Sequence, residues 1–199
     1  MQRQYIEEKR SFVSTQGNSD NKKEKITASA VSIVAPSLKL LDKMKDAITV
    51  LDAFQVPYTI AILAAHRAPR KTLKFVSELE TKGTEVIIAG GAGSAHLPGM
   101  LASLTTLTII GVPLLGDSLD GVDSLYSIVQ MPRGVPVGTM GIDSAYNAGI
   151  FACQILSLKY PLLKQRLAEY KQALEKEVEA EDAQLNRDIN KQEGNLSKV

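Results

Sequence analysis

An open parallel sheet covered by helices on both faces is the architecture this sequence predicts. Three observations carry that prediction. Short runs of small, apolar or β-branched residues at Ala28–Val34, Tyr58–Leu63, Glu85–Ala89, Leu107–Gly111 and Val137–Met140 read as buried strands. Segments with helical spacing separate consecutive runs, the pattern of crossover connections between parallel strands. Proline and glycine punctuate the junctions.

The elements follow in chain order. Residues 1–26 are polar and charged without a sustained period, and read as a flexible N-terminal arm. Residues 27–158 form the α/β domain. After the first strand, Pro36 and Ser37 break the chain, and Leu38–Phe54 has one helical period through Leu40, Leu41, Met44, Ile48 and Leu51. The second strand runs into Ala64-Ala65-His66-Arg67-Ala68-Pro69, where the proline suits the first turn of a helix that lasts to Lys82. Gly83 closes that helix as a C′ residue. The third strand breaks into Gly90-Gly91-Ala92-Gly93-Ser94-Ala95-His96-Leu97-Pro98-Gly99-Met100, with a helix from Pro98 to Ser103. The fourth strand leads through a loop containing Gly116, Asp117, Asp120 and Gly121 to a short helix at Ser124–Gln130. Pro132, Gly134 and Pro136 turn the chain into the fifth strand, and Ser144–Leu158 is helical. Five strands in this arrangement predict a flavodoxin-like three-layer sandwich around a central parallel sheet.

Residues 159–199 form a C-terminal helical extension. Its long helix runs from Pro161 to about Ile189, and residues 192–199 read as frayed. Leu162, Leu163, Leu167, Tyr170, Leu174, Val178 and Leu185 recur near helical spacing among lysines and glutamates. One apolar seam on a charged helix needs a surface to cover, in its own domain or across a subunit boundary, and the extension is expected to be an oligomer contact.

Composition excludes several classes of function. Acidic and basic residues nearly cancel, for a formal charge of +1, and no basic stripe with interleaved aromatics argues for nucleic acid. The apolar runs are too short to cross a bilayer and the N-terminus has no secretory core, so a cytoplasmic protein without a membrane partner is expected. Cys153 is the one cysteine and reads as a buried structural thiol. Two histidines, His66 and His96, are too few for a histidine-built metal site, so no metal is expected.

Open α/β sheets bind ligands beyond the carboxyl ends of their strands. Ser37, His66 and the Gly90–Gly93 turn each follow a strand and so fall on one edge. An imidazole can remove and return a proton near neutral pH, although a lone histidine is also commonly structural. Arg67 offers a planar fork for phosphate or carboxylate, or a surface ion pair. The glycine turn is either a tight strand-to-helix turn or an anion cradle of bare N–H groups. His96 is a second polar group for the same cleft, or a helix-capping side chain. Ser37 and Ser94 either donate to an anion or cap helices. The turn lacks both the Lys-Ser/Thr ending of a P-loop and dinucleotide spacing. An anion-binding cleft with imidazoles suits metal-free proton transfer on a small phosphorylated substrate.

Three motifs resemble the PurE family: Ala65-His66-Arg67-Ala68-Pro69, the stretch from Ile87 through Met100, and Gly121 through Val137 with its Ser124–Pro132 core and Arg133. The resemblance spans about Val31 to Leu185. It implies a flavodoxin-like fold assembled as a homo-octamer, without metal or organic cofactor. It implies an enzyme of purine biosynthesis that converts N5-carboxyaminoimidazole ribonucleotide to its 4-carboxy isomer, or one that carboxylates aminoimidazole ribonucleotide with CO2 directly. His66 would then handle the proton and carboxyl exchange at the imidazole C4, and Arg67 would contact the phosphate. Gly90, Gly91, Ala92, Gly93, Ser94, His96 and Leu97 would line the pocket for phosphate and the migrating CO2. Arg133 and its motif would support the site.

The loop after the first strand departs from the resemblance. The family's Gly-Ser-x-Ser-Asp reads Pro36-Ser37-Leu38-Lys39-Leu40 here. Ser37 matches the first serine, and Lys39 can pair with phosphate as a point charge. Leu40 cannot accept a hydrogen bond, and a lost charged acceptor is worth about 1.5–3 kcal/mol, or about tenfold to hundredfold in affinity. Ala64 and Leu114-Leu115-Gly116 are less polar than the family pattern, and the segment from Thr139 to Asn147 is shorter. Two other readings therefore stand beside the mutase: a PurE-like paralogue that carboxylates or decarboxylates another heteroaromatic compound, and a non-catalytic oligomeric assembly protein.

Overall fold

A computed structural model of the chain describes Ile26, residues 28–116 and residues 118–196. The proposed arm, apart from Ile26, lies outside the described residues, as do Thr27, Asp117 and residues 197–199. The first half of the domain runs β1 (Val31–Ala35), α1 (Leu38–Asp42), α2 (Lys45–Ala53), β2 (Tyr58–Ile62), α3 (Pro69–Thr81) and β3 (Val86–Ala92). The second half runs α4 (His96–Ala102), β4 (Thr108–Leu114), a 3-10 turn (Leu119–Gly121), α5 (Val122–Val129), β5 (Gly138–Thr139), α6 (Ala145–Ser157) and α7 (Pro161–Leu196).

Among the described residues the strands form one parallel five-stranded sheet in the order β2-β1-β3-β4-β5. This is the flavodoxin-like arrangement expected from the alternation. β1 is buried along its whole length and β3 along nearly all of it, so both read as continuous apolar runs. Successive side chains go to opposite faces. Ile33 and Ile88 join Val50, Leu51, Cys153, Leu156, Leu163 and Leu167 on one side. Val34 and Ile87 join Leu63, Val76, Leu79, Leu97 and Leu101 on the other. Each large side chain buried this way stabilises the fold by about 1.5–3 kcal/mol. Cys153 lies in the first of these clusters, where burial pushes its thiol up to about 12.

The structure corrects five of the expected elements. The segment Leu38–Phe54 is two helices, because Lys43 and Met44 take flat, 3-10-like torsions between α1 and α2. Met44 is fully buried beneath Gly90, and Lys43 reaches across to Asp143 at 3.0 Å. An apolar period reports which side faces the core and is silent about such a turn. β3 continues to Ala92 and β4 to Leu114, each beyond its expected end, paired residue by residue from Val86↔Thr108 to Ala92↔Leu114. β5 shrinks to two residues. α7 continues to Leu196, past Ile189 and through part of the segment read as frayed.

The proximal part of α7 covers its own domain. Leu163 and Leu167 are core residues, and Arg166 donates to the Phe54 carbonyl at 2.7 Å and to Gln55 Oε1 at 2.6 Å. Burial lowers the Arg166 guanidinium below its usual range. Nearby, Tyr160 donates to Glu85 at 2.5 Å and Lys159 pairs with the same carboxylate at 3.1 Å. The distal apolar residues Val178, Leu185 and Ile189 are exposed.

Candidate active site

The strand order fixes which loops meet. β2, β1 and β3 are neighbours, so the loops at their carboxyl ends, carrying His66, Ser37 and residues 93–96, lie side by side. The chain changes direction across the sheet between β1 and β3, which makes this the topological switch point where open α/β sheets take ligands.

His66 sits in the turn between β2 and α3. Arg67 N–H and Ala68 N–H both donate to the Ala64 carbonyl at 2.9 Å, and Pro69 starts α3. The tight turn leaves His66 and Arg67 exposed. His96, at the first position of α4, is exposed opposite, with its ring centroid 6.4 Å from that of His66 and the planes inclined by 55°. Among the described residues neither imidazole, nor the Arg67 guanidinium, has a hydrogen-bond or ion-pair partner in the protein. Two imidazoles and a guanidinium therefore face solvent at the switch point.

The glycine stretch divides into two parts. Gly90, Gly91 and Ala92 lie in β3, so the turn comprises residues 93–95 and not Gly90–Gly93. A Cβ at Gly90 would stand 2.8 Å from Met44 Sδ and 2.9 Å from Leu114 Cδ1. Gly90 thus answers to packing. Gly93 has φ +63°, and Ala95 follows at φ +38°, a left-handed conformation that costs a non-glycine residue about 1–2 kcal/mol. Gly93 N–H donates to Ser124 Oγ at 2.8 Å, so that amide is occupied within the protein. Ser94 is exposed at the turn's tip.

The remaining expected site residues separate. Ser37 is at the edge, but its hydroxyl accepts the Leu40 N–H at 3.3 Å as the N-cap of α1. Lys39 is exposed. Leu40 packs partly against the core. Leu97 was expected to line the pocket, but its side chain is 4% exposed and belongs to the core, because the first turn of α4 rotates it inward. Arg133 lies exposed in the connection between α5 and β5, outside the three loops that meet at the switch point.

A family model described as AIR carboxylase matches residues 30–177. The chain belongs to the AIR carboxylase (PurE) family. The N5-carboxyaminoimidazole ribonucleotide mutase of Pyrococcus horikoshii is 47% identical over 155 residues, which cover 78% of this chain and 88% of that protein. The mutase of Thermotoga maritima is 49% identical over 148 residues, covering 74% and 86%. A phosphoribosylaminoimidazole carboxylase of Schizosaccharomyces pombe is 51% identical over 141 residues, 71% of this chain but 26% of that longer protein. The crystal structure of Treponema denticola PurE superposes with a TM-score of 0.73 at 23% identity, covering 78% of this chain and 97% of the other, a likeness of fold.

In this AIR carboxylase family chain, two features of the edge escape a reading of strand ends. Asp143, at φ +51°, ties three loops together. Its N–H donates to the Pro113 carbonyl at 2.8 Å, and its carboxylate accepts from Leu115 N–H at 2.9 Å and from Lys43 Nζ at 3.0 Å. Ser124 and Ser127 of α5 reach Gly93 from behind. The one available signal was a pair of serines one turn apart in an otherwise apolar short helix.

Proposed function

We propose that this chain moves a carboxyl group on an aminoimidazole ribonucleotide, converting the N5-carboxy compound to its 4-carboxy isomer. The observation that carries the reading is the pair of imidazoles at the switch point, their ring centroids 6.4 Å apart and neither with a hydrogen-bond or ion-pair partner among the described residues. The curated relatives with this family's motifs over most of their length are mutases of that compound. In the reaction the N5–carboxyl bond breaks and N5 takes up a proton, a carbon–carbon bond forms between CO2 and C4, and the C4 proton leaves to the base that supplied N5. His66 is the acid/base group for that proton, since an imidazole near neutral pH can hold it and return it. Arg67 contacts the phosphate as a planar fork. Ser94 and His96 line the pocket, with Ser37 and Lys39 on its other side.

The family resemblance supports a homo-octamer in the cytoplasm, with α7 as part of the contact and CO2 held between the two half-reactions. Incubation with N5-carboxyaminoimidazole ribonucleotide should give the 4-carboxy isomer well above the spontaneous rate. Folded protein without that turnover would overturn the reading. A parallel incubation of aminoimidazole ribonucleotide with bicarbonate separates the direct carboxylase from the mutase.

Leu40 favours one second reading. It stands in α1 at the position where the resemblance implies a ribose-binding aspartate, and it packs partly against the core. A paralogue acting on a heteroaromatic acid without that diol fits the same site. Leu40→Asp should then tighten binding of the ribonucleotide.

A further inference from the structure

We infer that Ser124 is a positioning residue of this site: its hydroxyl, held between Gly93 and Leu114, sets the direction in which the 93–95 turn delivers Ser94 and His96. The inference rests on the carboxyl-transfer reading for its kinetic consequence, though not for its geometry.

Ser124 is 0% exposed, and a buried hydroxyl without partners is costly. Here both of its capacities are filled. Its oxygen accepts the Gly93 N–H at 2.8 Å, and its single proton goes to the Leu114 carbonyl at 2.9 Å. Leu114 is the last residue of β4 and fully buried, so one side chain anchors the turn to the rigid end of the sheet. Ser127 touches the same glycine from its carbonyl side at 3.3 Å. Its proton has a nearer acceptor, the Asp123 carbonyl at 2.7 Å, so Ser127 is the weaker of the two.

The anchored residue is the one that needs anchoring. Gly93 has positive φ and open space around its Cα hydrogen, so packing does not select its orientation. Two residues on, Ala95 is left-handed, and His96 begins α4. With the Gly93 peptide free to rotate, Ala95 relaxes and the His96 ring moves relative to His66. A displacement of about 1 Å in a reacting geometry costs about a hundredfold in rate.

The test compares Ser124→Ala, Ser124→Cys and Ser127→Ala well below their melting temperatures. Three readouts are followed: kcat and KM of the isomerisation, the amide exchange rate of Gly93 against that of Ile88, and the imidazole resonances of His66 and His96. The expected result for Ser124→Ala is a kcat lowered about tenfold to hundredfold with a smaller change in KM. Gly93 exchange rises, Ile88 exchange stays as in the parent, and the His96 resonances shift. Ser124→Cys, whose thiol is a weaker donor and acceptor, falls between parent and alanine. Ser127→Ala stays within about threefold of the parent. A folded Ser124→Ala protein with parental kcat would overturn the assignment, since a merely structural serine changes only the melting temperature. If alanine does not fold, Ser124→Cys decides: raised Gly93 exchange with parental kcat overturns it equally. Were the parent itself inactive on the ribonucleotide, the functional reading would fall. Gly93 exchange and the His96 resonances would still answer for Ser124, and no change in either on Ser124→Ala would overturn it.

Discussion

The two edges of the sheet carry similar polar residues and use them in opposite ways. At the amino-terminal edge the charges described here are tied: Glu85 to Tyr160 and Lys159, Arg166 to Phe54 and Gln55. At the carboxyl-terminal edge His66, His96 and Arg67 have no partner among the described residues. Exposed polar groups bond water, so what distinguishes this edge is that separate loops bring two imidazoles and a guanidinium together at a switch point, where open α/β sheets take ligands. The open edge is still ordered from behind, where Ser124 and Asp143 fix the backbone that carries the open groups.

The sharpest break of this contrast is His66→Asn. It should lower the isomerisation rate by about 10²–10⁴-fold, the usual worth of a general acid/base group, and leave the melting temperature as in the parent. Steady-state kinetics beside a thermal melt check both halves. Arg67→Ala comes next, with KM raised about tenfold to hundredfold by loss of a charge-assisted contact and stability unchanged. At the tied edge the pattern should invert. Arg166→Ala should cost about 1–3 kcal/mol in denaturant unfolding, because it leaves the Phe54 carbonyl without its donor, while kcat and KM stay parental.

The mildest effect is a pH dependence at Tyr160. Burial, followed by the bond to the Glu85 carboxylate, raises its phenol above the usual value. Its folded-state pKa exceeds the unfolded one, so its contribution is complete below the unfolded value of about 10 and is lost as pH rises through the folded value. The stability gap between parent and Tyr160→Phe should therefore narrow above about pH 10. Cys153, buried and pushed up to about 12, should resist thiol reagents at pH 8 until the chain unfolds.

What the sequence made legible was placement along strands. Apolar runs alternating with helical periods located Ser37, His66 and the glycine stretch at strand ends, and the observed sheet order brings those ends together. Three other features were not legible. The helix break at Lys43 and Met44 coincides with a pairing of Lys43 to a residue 100 positions away. The Gly93 amide is occupied by a hydroxyl 31 positions on, and Asp143 reaches Leu115 across 28. Periodicity reports which side of an element faces the core. It carries no information on single bonds between distant loops, and those bonds decide which amides at the edge are free. Leu97 erred for a related reason: proximity to the turn in sequence does not say which way the first turn of α4 rotates.

Gly90 in β3 and Gly93 in the turn that follows set two separate rules for which side chains this chain can accept. Gly90 is limited by volume, since an added side chain meets the ends of Met44 and Leu114, two flexible side chains that must shift to admit it. Gly93 is closed by torsion alone, with nothing within 4 Å of an added Cβ, so asparagine and aspartate are admissible there and valine is not. Two glycines three positions apart thus answer to different constraints, one set by the core and one by the torsion of the turn.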